Sequence, residues 1–324
     1  MIKRRQLLTH LAASPLMAGL PAMAQTFPDK PLKIIVPLPA GSPPDVLARL
    51  VADGVSRSWK QPVVVDNRPG ATGMIGMQAL ARSAPDGYTV GVLFLTHTVL
   101  PELIGPLPYN TATDLAPIAN LVWLYNVLVV PSDSPIQNVQ DPVRQAHAKP
   151  NMLNYGSGGN GSPAHLVAES FCQAAGVKIM HVPFKGPGDA VTALMGNQIQ
   201  AMFATVPNAA GLVRGGKLRA IAVTSPQRLA ALPSVPTLAE AGISGVELKE
   251  WEGLVAPAGT PSAILDKWNH DAAQVLASPE VRAKLSDLGM SVVPSNSSAE
   301  FGELIRKELD HWGRFVRSVG LRPS

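Results

Sequence analysis

The sequence predicts an α/β fold in two lobes, and three observations carry that expectation. Short apolar runs rich in Val, Ile and Leu alternate with helical patterns along most of the 324 residues. Those runs are mostly continuous rather than alternating, as expected for strands buried on both faces of a largely parallel sheet. The third observation is a repeat. Gly41-Ser42-Pro43-Pro44-Asp45-Val46-Leu47 follows the first apolar run, and Gly161-Ser162-Pro163-Ala164-His165-Leu166-Val167 follows a later one. Each reads as a Gly turn, a Ser at the N-cap, a Pro in the first helical turn and then an apolar helix. Two such units, 120 residues apart, suggest two domains that each present a helix N-terminus.

In chain order, strands are expected at residues 33–36, 63–66, 89–94, 127–130, 153–155, 178–182, 199–203, 219–224 and 253–255, each a short β-rich apolar run. Helices are expected at 45–58, 74–83, 139–148, 162–174, 263–277, 279–288 and 298–319. The last is the clearest, because Phe301, Leu304, Ile305, Leu309, Trp312, Val316 and Val319 fall on one stripe at helical spacing. The 31 prolines sit mostly at strand ends and helix starts, and no low-complexity linker interrupts the pattern. A fainter echo links Val129-Val130-Pro131-Ser132 with Val255-Ala256-Pro257-Ala258, which chance explains about as well as paired strand exits near a hinge.

Residues 1–24 read as an export signal. Lys3, Arg4 and Arg5 precede a short apolar stretch that ends in Ala22-Met23-Ala24. The Arg4-Arg5 pair before Gln6-Leu7-Leu8 approaches a twin-arginine signal, and the ordinary export route stays open as the alternative. A soluble protein located in the periplasm is therefore expected. The leader holds three of the 27 Lys and Arg and none of the 23 Asp and Glu, so the remainder carries a net charge of about +1. No basic cluster or basic helix face remains, which argues against nucleic acid as a partner. The single cysteine, Cys172, excludes an internal disulfide and any all-cysteine zinc site, and its apolar helical setting suits a buried, inert thiol. No H-x-x-H or H-E-x-x-H spacing occurs, so neither a metal nor a cofactor is expected.

A helix N-terminus carries unpaired N–H groups and a partial positive charge, and so attracts anions without a basic side chain. In the first turn the main-chain donors would be Ala40, Gly41, Ser42 and Asp45, because Pro43 and Pro44 have no N–H. In the second they would be residues 158–162 and Ala164. The plain alternative is that Ser42 and Ser162 cap their helices, with Asp45 completing a capping box or pairing with Arg49. Residues 156–161 match G-x-G-x-x-G between a strand and a helix, but the acidic residue expected after the next strand is missing; that strand ends at His181-Val182-Pro183. No G-x-S-x-G elbow is present, and spacing alone does not make Ser157, Ser162, His165, His181 and Asp189 a triad.

With these residues laid out, the chain resembles the Bug family, the extracytoplasmic solute-binding proteins of tripartite tricarboxylate transporters. The resemblance runs through KPLKIIVPLPAGSPPDVLARL, QPVVVDNRPGATGMIGMQALARSAPDGYTV, LPYNTATDLAPIANL, LNYGSGGNGSPAHLVAESF, HVPFKGPGDAVTALMGNQIQAMF, GKLRAIAVTSPQRLAALPSVPTLAEAG and WEGLVAPAGTP. It implies a hinged, two-domain periplasmic-binding-protein fold, type II-like, with residues 25–126 and 226–324 in one domain and 127–225 in the other. It implies a non-enzymatic, monomeric protein that closes on a small carboxylate and delivers it to the membrane subunits of such a transporter. Carried over by motif, the ligand-binding residues are Leu38, Pro39, Ala40, Gly41, Ser42 and Asp45 in the first turn. In the second they are Ser157, Asn160, Gly161, Ser162 and His165, with Lys185, Gly186, Phe203, Ala204 and Thr205 as further walls. Ala204 stands where many members carry Asp, so amino-acid ligands are expected to be disfavoured against plain carboxylates. Two alternatives are a sensor subunit of the same fold and, in another class, a secreted hydrolase using Ser162 and His165.

Overall fold

The computed structural model describes residues 27–246 and 248–320. Its strands are β1 Leu32–Val36, β2 Val63–Asn67, β3 Thr89–Phe94, β4 Leu115–Leu124, β5 Asn126–Pro131, β6 Asn154–Ser157, β7 Met180–Pro183, β8 Ala201–Thr205, β9 Leu218–Val223, β10 Glu250–Pro257 and β11 Met290–Val292. Its helices are α1 Pro43–Trp59, α2 Met74–Ala81, α3 Thr96–Ile104, α4 Gln140–Ala148, α5 Pro163–Ala175, α6 Pro187–Met195, α7 Val206–Arg214, α8 Ser262–Ala277, α9 Pro279–Asp287 and α10 Ser298–Val319.

The strands form two sheets. One has the order β2-β1-β3-β10-β4-β11 and the other β7-β6-β8-β5-β9. The five strands of the second order correspond to the first five of the other, with β7 in the place of β2, β6 of β1, β8 of β3, β5 of β10 and β9 of β4. Strand β11 is added at the edge of the first sheet. In each, the strand that arrives from the other sheet enters antiparallel to its neighbours. This corrects the expectation of a largely parallel sheet: four of the nine pairings are parallel and five antiparallel. The fainter echo now has a structural counterpart, because it marks the exits of the equivalent strands β5 and β10. Those exits lie at the ends of the two strands far from the crossings.

Helices cover both faces of each sheet, so the strands read as continuous apolar runs. On the first sheet, Leu47, Val51, Val55, Trp268 and Leu285 from α1, α8 and α9 pack one face. Met77, Val99, Leu103, Phe301 and Ile305 from α2, α3 and α10 pack the other. On the second sheet Leu166 and Phe171 of α5 cover one face, and Leu194 and Ala209 of α6 and α7 cover the opposite one.

The chain crosses between sheets twice. Tyr125 joins β4 to β5, and residues 224–249 join β9 back to β10. Asn126 and Thr224 tie the crossings together: Asn126 N–H donates to Thr224 Oγ1 (3.0 Å), and Thr224 N–H to the Asn126 carbonyl (2.9 Å). The return segment stays with the second sheet at first. Thr237 bridges to Val223, Leu232 and Val235 join the second sheet's core, and Gln140 of α4 donates to the Ala241 carbonyl (3.1 Å). We propose that the second domain runs to about residue 248 rather than to 225.

Sequence periodicity missed β4, β11, α3, α6 and α7, for identifiable reasons. Pro117 and Asn120 punctuate β4, and its pairing with β10 shifts register at those points, so the strand survives through bulges. Pro101 interrupts the pattern of α3, while α6 and α7 are single short runs that open on a proline in the first turn.

Candidate functional site

Both repeated turns lie at the carboxyl ends of parallel strands, where open α/β sheets place their ligand crevice. Their backbones match closely. Gly41 (φ 83) and Gly161 (φ 72) both adopt the left-handed conformation that favours glycine. Ser42 and Ser162 are extended N-caps, at φ −70, ψ 157 and φ −66, ψ 154. Each Ser N–H donates to the carbonyl three residues back, and each Ser carbonyl accepts the helix's first bond. Neither serine caps through its side chain. Instead the residue at the third helical position reaches back: Gly41 N–H donates to Asp45 Oδ2 (2.9 Å), and Gly161 N–H donates to His165 Nδ1 (3.1 Å).

These bonds trim the donor set read from the sequence. The N–H groups of Gly41, Ser42, Gly161 and Ser162 serve the turns themselves, and that of Gly159 donates to Ser157 Oγ (3.1 Å). Those of Ala40 and Asp45 in the first turn, and of Gly158, Asn160 and Ala164 in the second, have no partner among the described residues. Asp45 supports its turn rather than facing a solute. Arg49 holds it at 2.9 and 3.0 Å, and Asn67 Nδ2 at 2.9 Å while also donating to the Leu38 carbonyl at 3.1 Å. Burial pushes the Asp45 carboxyl up, but the bonds from Arg49, Gly41 and Asn67 outweigh it and hold the pKa below the usual value.

Beneath the second turn lies a stack of rings. His165 and His181 stack at 3.8 Å, with the Tyr155 ring 5.0 Å from His181 and 6.4 Å from His165. Ser157 Oγ lies 2.6 Å from His181 Nε2 and 3.0 Å from the Gly159 carbonyl. If His181 donates through Nε2, Ser157 can donate to Gly159, and all three bonds are made at once. Tyr155 O–H donates to Glu169 (2.5 Å), which stands 3.9 Å from His165 Nε2. Burial first, and then the neighbouring His181, lowers the His165 pKa to about 3; burial lowers His181 to about 4. Both imidazoles are neutral at pH 7. Ser162 and His165 make no mutual bond, so the geometry does not assemble the hydrolase pair. Ser162 Oγ is buried with no partner.

The remaining expected wall residues divide. Gly158 lets the second turn approach the next one, since a Cβ there would lie 2.9 Å from Pro187 N. Gly186 is the N-cap of α6 and Lys185 is exposed. Phe203 and Ala204 are core residues on opposite faces of β8: Phe203 packs on Phe171 at 5.5 Å, and Ala204 lies among the apolar side chains under α6 and α7. Strand alternation explains this, and it removes the footing of the amine argument built on Ala204. Thr205, at the strand end, keeps a buried Oγ1 without a partner. Exposed Pro39 accepts from Ser42 Oγ (2.7 Å).

Helix α3, one of the elements without a periodic signal, also meets the second turn. A Cβ on Gly161 would lie 2.3 Å from Leu103 Cδ2 and 3.5 Å from Val99, so this helix from the first sheet seats on the second turn. Its His97 lies against Gly73 and Pro37 at the first sheet's crevice. Residues 70–73 all have positive φ, from 47 to 128. The glycines of RPGATGMIG are the sequence signal of that turn. Another groove, of about 680 Å³, lies between the α3–β4 loop and α10 and is lined by Pro101, Leu107, Tyr109, Asn110, Asp114 and Leu309. It offers no helix N-terminus, and its one acid already accepts from Asn110 N–H (2.8 Å).

The family described as tripartite tricarboxylate transporter family receptor matches residues 47–321. The chain belongs to that family. It is 34% identical to BugT of Bordetella pertussis over 307 residues, covering 93% of both chains. A Rhodopseudomonas palustris protein solved with adipate superposes with a TM-score of 0.86 at 30% identity, over 92% of this chain and 100% of that one. MatC of the same organism, solved with bound malate, gives 0.81 at 30% identity, over 90% and 100%. The two-sheet architecture is thus that of solute-binding proteins. Among the described residues no group of three His, Cys, Asp or Glu is placed to hold a metal, and no helix is long and apolar enough to cross a membrane.

Proposed function

We propose that this receptor-family protein captures a small carboxylate between its two sheets, without chemical turnover, and delivers it to the membrane subunits of a tripartite tricarboxylate-type transporter. The observation that carries the proposal is the pair of matched turns, each with main-chain donors left unused at a strand end. Residues 1–24, which lie outside the described residues, would export the chain to the periplasm. The solute would meet Leu38 to Ser42 from one sheet and Asn160 to Ser162 with Thr205 from the other. Asp45, Ser157 and His165 would act from behind, and the two crossings would be the hinge for closure. The adipate and malate of the related structures support a carboxylate as the ligand class. A sensor role for the same binding event is the second reading, and partner subunits encoded beside the gene would decide between them.

A thermal-shift screen of residues 25–324 against malate, adipate, their amino-acid analogues and neutral controls tests the proposal. A solute at 100 times its Kd adds about 2.7 kcal/mol of stability. Stabilisation by one carboxylate group is expected. No shift with any carboxylate, repeated after unfolding and refolding to strip co-purified solute, would overturn it.

A further inference from the structure

We infer that His165 is the positioning residue of the second turn: by accepting the Gly161 N–H it does the work of a helix cap and leaves the Ser162 hydroxyl and the α5 N-terminus free for the solute. This rests on the proposed binding role. At an ordinary N-cap the serine oxygen folds inward and accepts the N–H of the second or third helical residue. Ser162 is extended like such a cap, yet its buried hydroxyl has no partner. A buried unpaired hydroxyl is costly to keep. It persists here because the turn is held from the opposite direction, by the bond from Gly161 to His165 Nδ1.

The bond dictates the state of the ring. Nδ1 must be unprotonated to accept, so His165 is the neutral Nε2–H tautomer, with its Nε2 edge toward Glu169. The groups around the ring enforce this. His181 stacks on one face, the Tyr155 ring stands beside the pair, Leu103 and Val99 of α3 close over Gly161, and Glu169 faces the Nε2 edge. His181 is itself held by Ser157, whose hydroxyl takes the Gly159 N–H. One chain of contacts therefore sets Gly159 and Gly161 together, and the N–H groups of Asn160 and Ala164 stay unpaired on either side.

The first test needs neither a variant nor a solute. In 15N-labelled protein, His165 Nδ1 is expected at the unprotonated nitrogen shift, with a through-hydrogen-bond coupling to the Gly161 amide. A protonated Nδ1 overturns the inference. Variants extend the test. His165→Ala should speed Gly161 amide exchange about tenfold, the equivalent of about 1.4 kcal/mol for a lost bond. His165→Asn, which places an acceptor where Asp45 has one, should restore protection. Unchanged exchange in His165→Ala contradicts the claim. Ser162→Ala separates binding from folding: the thermal midpoint should hold or rise, whereas loss of a true cap would lower it and sink the idea. With malate and adipate as probes, Ser162→Ala and His165→Ala should bind about tenfold more weakly and His165→Asn nearly as wild type. Absence of malate or adipate binding in the wild type would fault the carboxylate reading while leaving the nitrogen shift and Gly161 exchange to decide this one.

Discussion

The two turns share a backbone and differ in what holds it. The first is anchored by a charge: Asp45 accepts from Gly41 and Asn67 and is neutralised by the half-exposed Arg49. The second is anchored by a neutral imidazole in a stack of buried rings. A basic partner explains the difference. Both anchors are buried, but Asp45 has the half-exposed guanidinium of Arg49 against it, whereas a carboxylate under the second turn would be unpaired and expensive. The first turn also loses two donors to Pro43 and Pro44, against one lost to Pro163. The second turn is therefore the richer in free N–H groups, carries no formal negative charge and has a spare hydroxyl.

Exchanging the anchors gives the largest expected effect. His165→Asp puts a carboxylate under the second turn with no basic side chain bonded there among the described residues, and should cost about 3–5 kcal/mol in chemical denaturation. If it costs less than 1, the two environments are not as different as described. A second effect comes from the crossings between the sheets. Glu250 accepts from Asn126 Nδ2 (2.5 Å) and is buried on β10 near the equally buried Glu252. Burial raises Glu250 to about 8, and burial with the neighbouring Glu250 raises Glu252 well above its usual value.

Acids raised in the folded state stabilise most below their unfolded pKa, and that stability is lost as pH rises toward the folded pKa. The histidines of the second turn run the other way, since their lowered pKa values make stability fall as pH drops below about 6.5. The two trends offset each other between about pH 4 and 6.5. Above that window the acids act alone, and stability should decline by about 1.4 kcal/mol per pH unit per acid up to about pH 8. Urea denaturation from pH 6.5 to 8 should show this slope in the wild type and about half of it in Glu250→Gln. A flat wild-type profile would mean that the acids are solvated.

Smaller effects sharpen the comparison of turns. Asp45→Asn keeps the acceptor for Gly41 but loses the charge-assisted bonds from a half-exposed arginine, and should cost about 1–2 kcal/mol by denaturation. Ser42→Ala removes the bond to the Pro39 carbonyl and should cost about 0.5–1 kcal/mol. Equal losses at Ser42 and Ser162 would erase the contrast between a bonded and a spare hydroxyl.

Much of the fold was legible in the residues. Helix α10 and strand β3 have the bounds that periodicity predicted, because amphipathic and fully buried runs leave strong patterns. The paired turns were legible because Gly at positive φ and Pro in a first turn are local demands. The direction of β5 and β10 was not, since it follows from which sheet each strand enters. The pairing of Asp45 with Arg49 was legible from their spacing, but the bonds by which Asp45 and His165 hold Gly41 and Gly161 were not, since they form only when each turn folds back on its helix. Ala204 misled because a motif position says nothing about which face of β8 it occupies.

The central claim is that main-chain donors of both turns hold the solute. It is tested most directly by following backbone amide resonances while titrating the carboxylate that most stabilises the protein. Shifts at Ala40 and Asp45 together with Asn160 and Ala164, saturating at one common Kd, are the predicted result. Shifts confined to one turn, or centred on the groove lined by Pro101, Tyr109 and Leu309, would contradict the account.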